Sequence, residues 1–170
     1  VAVGSGLTVT AAIDQPTSTL APQSAARVPF VKAIFTASSD GDVTVKSVTV
    51  ERKGLADDAA FDGIILLDEN AVQIGSSKTL SSEHKVVLNE PFVVKAGTSK
   101  TVIVAANMAS SLSSQTGQIA KLAIVAVGAG TSAVNASFPI ESNSMTLNST
   151  LTIGSITMSI GAFDPGAANT

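Results

Sequence analysis

Residues 27–51 read RVPFVKAIFTASSDGDVTVKSVTVE, and this run decides the fold class. Arg27–Ala37 is rich in aromatic and β-branched side chains, which fit a pleated surface. Phe30 and Ile34 share one face and Val31 and Phe35 the other, so both faces are expected to be covered. Pro29 has no N–H to give a ladder, which puts the strand's start at a sheet edge or a bulge. Ser38–Asp42 is a turn, with Asp40-Gly41 supplying the positive φ of a tight hairpin. Asp42–Glu51 is the clearest strand. Val43 and Val45 share one face while Val48 and Val50 have the opposite parity, which predicts a bulge or twist near Lys46-Ser47.

The same vocabulary extends in both directions. Gly6–Ile13 is a first strand with Leu7, Val9 and Ala11 on one face, and Asp14–Ala26, with Pro16 and Pro22, is a loop. Downstream, Gly54–Asp62 has room for one helical turn and Gly63–Leu67 is a buried strand that Asp68-Glu69-Asn70 turns into Ala71–Gly75. His84–Leu88, Phe92–Lys95, Lys100–Ala106 and Gln118–Val127 are further strands, and Asn107–Thr116 is a Ser-rich loop with a little helix. Phe138–Ile140 and the C-terminal stretch complete the set. About ten strands with close-spaced turns and little helix give an all-β, antiparallel β-sandwich, immunoglobulin-like or jelly-roll-like.

Composition bounds the function. The chain has 170 residues, 45% hydrophobic and 14% charged, enough for one substantial core and too apolar for disorder. A net charge of −3, with no Trp or Tyr, leaves neither a basic footprint nor stacking residues for nucleic acid. Without cysteine there are no disulfides, thiolate metal sites or cysteine nucleophiles. No run is long and apolar enough to span a membrane, and no signal peptide is recognisable. A start at Val1 without Met suggests a processed or excised chain and favours an extracellular or cell-surface location.

Ser144–Pro165, SMTLNSTLTIGSITMSIGAFDP, carries no charge before Asp164, and Ile156–Ile160 alternates with period two. Gly154-Ser155-Ile156-Thr157-Met158-Ser159, then Ala162-Phe163-Asp164-Pro165, echoes Gly4–Thr10, then Ala12-Ile13-Asp14-Gln15-Pro16, with a one-residue gap. The chain thus carries its opening strand twice, as a module built to join another would. Exposed strands are usually blunted by Lys, Pro or bulges, and Leu147–Ile160 has no charged gatekeeper. Two readings follow. It is an interior strand of its own sandwich, or it is donated to a neighbouring subunit, with Leu151, Ile153, Ile156, Met158, Ile160 and Phe163 as the assembly strand. On the second reading residues 1–146 form the sandwich and 147–170 the strand segment, with the N-terminal strand as the alternative donor.

The succession GLTVT (6–10), FVKAIFTASSDGDVTVKSVTVERKGLADDAAFDGIILLD (30–68), IGSSKTL (74–80), FVVKAGTSKTVIVAANM (92–108), FPIESNSMTL (138–147) and LTIGSITMS (151–159) resembles the β-sandwich modules repeated in bacterial secreted surface-layer-type and extracellular filament proteins. The resemblance covers most of the chain and has no catalytic signature. It implies a structural, self-assembling subunit with copies of itself as partner, and no site residues.

Candidate chemistry is sparse. Asp57, Asp58 and Asp62 cluster in one loop, and Asp40 and Asp42 lie two apart. Both fall short of the alternating Asp/Asn-before-Gly pattern of a calcium loop, so turn-forming carboxylates are the expectation and calcium at the Asp57–Asp62 cluster the alternative. His84 is the single histidine, with Ser81, Ser82 and Glu83 beside it in sequence. No G-x-S-x-G elbow or phosphate-cradling glycine loop accompanies it, so no enzyme is expected. Asn135 and Asn148 match the N-glycosylation pattern, and Ser110, Ser111, Ser113, Ser114 and Thr116 are candidates for O-linked sugars. The alternatives to a filament or surface-layer subunit are an adhesive module for surface glycans, which the absence of Trp and Tyr platforms disfavours, and a passive spacer in a longer surface protein.

Overall fold

The computed structural model describes residues 6–151 and Gly154. Ile153, Ile156, Met158, Ile160 and Phe163 of the expected assembly strand therefore lie outside the described residues. Among the described residues fourteen strands run in chain order: β1 Leu7–Ala11, β2 Leu20–Pro22, β3 Val28–Ala37, β4 Val43–Val45, β5 Ser47–Gly54, β6 Phe61–Asp68, β7 Gln73–Lys78, β8 Lys85–Leu88, β9 Phe92–Val94, β10 Ser99–Met108, β11 Ile119–Gly128, β12 Val134–Ala136, β13 Ile140–Glu141 and β14 Met145–Asn148. Two sheets, β12-β1-β3-β10-β6-β7 and β2-β14-β11-β5-β8 with β13 also on β11, pack face to face as an all-β sandwich. The count exceeds ten because β2 and β12 form where no strand is expected, and the strand expected at Asp42–Glu51 is divided into β4 and β5. Pairing is antiparallel except at β1–β12 and β2–β14, which are parallel.

The Asp40-Gly41 turn does not close a hairpin. β3 pairs with β1 and β10, whereas β4 pairs with β9, and Gly41 is not among the residues with positive φ. β3 and β10 are neighbours in one sheet and β5 and β8 neighbours in the other. The β4–β9 ribbon carries both chain segments across, and Val43, Val45 and Val94 close that end of the core. The expected irregularity at Lys46 is the break between β4 and β5, and Val48 and Val50 are buried on the far side of it.

β3 lies in the middle of its sheet rather than at an edge, and the irregularity near Pro29 is a bulge. The β10 register passes from Val31 to Pro29, which leaves Phe30 unpaired. The extra residue turns Phe30 inward together with Val31, so the two faces assigned to this strand merge near its start. Phe30 packs on Phe61 with ring centroids 5.9 Å apart, and Phe35 meets Phe92 edge-on at 5.4 Å. β6 buries both faces: Ile64 and Leu66 in the main core, Ile65 and Leu67 in a small cluster with Ala105 on the other side of the sheet.

Smaller differences have local causes. Ala11 is exposed and Ala12 buried, because the chain leaves β1 there. The one helical turn is a 3-10 turn at Asp58–Ala60, while β10 runs on through Asn107 and Met108 and residues 109–118 form turns without helix, with Leu112 fully buried among them. Leu147 is 1% exposed in β14, so the sandwich extends beyond residue 146 and takes in the start of the segment expected to stand apart. Asn148 ends that strand: its Oδ1 accepts the N–H groups of Thr150 at 2.9 Å and Leu151 at 2.7 Å.

Candidate functional site

A sandwich has two open flanks, where the edge strands of its sheets face each other. One runs along β7 and β8. Their exposed edges present N–H and C=O groups, and charged side chains occupy the gap. Lys78 Nζ donates to Asn89 Oδ1 and reaches Val87 O at 3.5 Å, and Lys85 and Glu83 line the same cleft. Such lysines are the usual guard against a foreign strand.

The opposite flank is built differently. β12 covers the outer edge of β1 for three residues, Leu7–Val9 against Val134–Ala136, and the chain then turns through Phe138 and Pro139 to β13 in the other sheet. Antiparallel ladders bond alternate residues. Ala12 N–H donates to Lys32 O at 3.0 Å, so Ala11, one residue earlier, directs its N–H and C=O groups away from β3. β12 has already ended opposite Val9, which leaves Ala11 without a strand partner on that side. A cleft of about 430 Å³ opens here, lined by Thr8–Ala11, Asn135–Ser137 and Pro139–Glu141. Ile13, 103% exposed, lies just beyond it. The charges nearby are engaged within the chain: Asp14 bonds Lys32, and Glu141 lies 4.0 Å from Lys121. No lysine lines this cleft.

The chain's direction relates this flank to the C-terminal segment. β1 begins beside Ala37, Ser38 and Ala133, at the end of the sandwich where the β4–β9 ribbon lies. β14, antiparallel to β11, runs in the same sense as β1 and leaves at the far end past Ile119, where Gly117 N–H donates to Leu147 O. The described chain therefore enters at one end and departs from the other. Leu151, the one residue of the expected assembly strand within the described residues, is 46% exposed and outside any strand.

The acidic candidates are not assembled for a cation. Among the described residues no group of three or more histidine, aspartate or glutamate side chains is placed to hold a metal ion. Asp58 is instead held by two side chains: Arg52 Nε donates to Oδ1, and His84 Nδ1 lies 2.6 Å from Oδ2. Burial disfavours the Asp58 carboxylate, but the hydrogen bonds and charges of Arg52 and His84 outweigh it and hold the carboxyl below the usual range. With Asp58 ionised, Nδ1 carries a proton and donates to it, so it cannot also accept from the Arg52 Nη2 that lies 3.0 Å away. Asp57 is exposed before the 3-10 turn and Asp62 is exposed in β6. Asp42 fastens β4 to the turn after β9, accepting from Lys95 Nζ at 2.8 Å and Ala96 N–H at 2.9 Å.

His84 stands at the end of a turn rather than at a strand start. Its φ is +61°, its N–H donates to Ser81 O, and Ser81 Oγ accepts from Glu83 N–H at 3.3 Å. The Arg52–Asp58–His84 cluster had no signal in the sequence, since its members lie 6 to 32 residues apart. Asn135 is exposed in β12, whereas Asn148 uses its amide oxygen to build the turn after β14. No protein-family model matches the chain, and no curated protein sequence matches it.

Proposed function

We propose that this protein is a structural subunit of an extracellular filament or surface layer, self-assembling by donation of a β-strand from one copy to the next. The observation that carries the reading is the contrast between the flanks. The β7–β8 flank has lysines in its gap, whereas the β1–β12 flank has a short edge strand, a cleft lined by no lysine or arginine and an exposed isoleucine. Unguarded edges recruit strands, and the sequence of the chain's own C-terminal stretch, uncharged before Asp164, has the apolar alternation of such a strand. A head-to-tail contact of this kind does not close on itself and so propagates.

Negative-stain electron microscopy at neutral pH tests the reading. The full chain forms regular filaments or sheets, and a chain ending before Ile153 stays folded and single. Monodisperse particles from the full chain at all accessible concentrations would refute self-assembly. The spacer reading has one observation of its own, the entry and departure of the described chain at opposite ends. It would then stand in place of the filament.

A further inference from the structure

We infer that the acceptor for the C-terminal strand is the cleft beside β1, and that its occupant is the Ile153–Ile160 segment of a second copy of this chain. The inference rests on the strand-donation reading and adds the place where the strand docks. β1 has hydrogen-bonding groups on its outer edge at Ala11, just where β12 stops, so an incoming strand extends the ladder along the line β12 leaves. The cleft supplies Val9, Ala136 and Ile140 on its walls for alternate side chains of that strand. Ile156, Met158 and Ile160 share one parity, which gives one apolar face to the cleft and leaves Thr157 and Ser159 outside.

Charge argues for the same match. The cleft has a single ionisable lining residue, Glu141, and the segment has no charge at all, so docking strands no ion. On the other flank the same segment would displace Lys78 from Asn89 and cover Lys85, which disfavours that edge. A second copy fits better than the same chain, because the residue 16–19 stretch already lies along residues 143–146, across the way a returning segment would take to this cleft: Thr146 N–H donates to Thr19 O and Asn143 Nδ2 to Pro16 O.

The test uses the full chain with a photo-reactive benzophenone residue at position 158. Isotopically heavy and light copies are mixed, irradiated and digested, so each cross-link is assigned to one chain or to two. The expected result is cross-links between copies that land in Thr8–Ile13 or Asn135–Glu141. Ile13→Lys, at a fully exposed position, reduces their yield at least about ten-fold with unchanged thermal melting, while Val87→Lys on the opposite flank leaves the yield within about two-fold. Cross-links within one chain overturn the second copy as occupant. Links to β7–β8, to Thr36 of β3 (the segment replacing β1), or to no reproducible position overturn the cleft. Filaments whose cross-links fall elsewhere sink this inference and spare the filament reading, whereas cross-links in the cleft without filaments do the reverse.

Discussion

At the scale of single residues, the cluster around Asp58 makes the sharpest prediction. Its carboxylate joins β5, through Arg52, to the turn before β8, through His84. Its pKa is lower in the folded chain than in the unfolded one. The stabilisation is therefore fully present above the unfolded carboxylate value of about 4 and is lost as pH falls through the lower folded value. Asp58→Asn keeps the shape and removes the charge, and costs about 1 kcal/mol at pH 7, the scale of a charged hydrogen bond at a partly exposed site. Urea midpoints taken from pH 7 down to pH 2.5 check the sign: the gap between the two chains narrows on acidification. A gap that widened instead would mean that the Arg52 and His84 contacts do not favour the ionised form.

At the scale of elements, the junction of β5, β11 and β14 depends on one glycine. Gly54 has φ +83°, and a Cβ added there would stand 2.6 Å from the backbone carbonyl oxygen of Ile119. That oxygen also accepts the N–H groups of Leu55 and Ala56, so it cannot withdraw without breaking them. Gly54→Ala is expected to cost about 2 kcal/mol or more, combining left-handed strain with a backbone clash. Chemical denaturation shows this as a lower midpoint at unchanged slope. Gly6→Ala, where open space surrounds the added Cβ, serves as the neutral control.

Strand identity was legible in the sequence because it is written locally. Alternation at Val43–Val50, the continuous apolar run at Ile64–Leu67 and the Pro29 irregularity each reflect one residue's fit to a pleat. Partners were not legible. Asp40-Gly41 looks like a hairpin turn, yet β4 finds β9 about fifty residues later, a choice set by two sheets needing a shared crossing. β2 hides in a Pro-containing loop because three residues show no period, and it is strand only by virtue of β14. For the candidate site, the apolar pattern of the proposed donor was readable, but the cleft was not. It arises from where β12 stops relative to Ala11, a register between residues more than a hundred positions apart.

At the scale of the whole molecule, the described chain enters and departs at opposite ends, so tension between them runs along the strands. β1 lies between β3 and β12, and β14 between β11 and β2. Ladder hydrogen bonds are perpendicular to the strands, and pulling Gly6 and Leu151 apart loads each of those ladders in shear, many bonds at once. The end of β3 and the start of β10 are instead neighbours at one end of the sandwich, since Thr36 pairs with Ser99 and Gly97 N–H donates to Ser38 O. Pulling from Ser39 and Gly97 opens that ladder one bond at a time. Forced unfolding is governed by the unfolding barrier, so the same domain is expected to rupture at a higher peak force in the first geometry than in the second. Single-molecule force measurements with handles at each pair, on one chain at one loading rate, decide it. Equal forces would mean that the core yields before either ladder is loaded, and would remove the mechanical argument for a subunit that holds tension end to end.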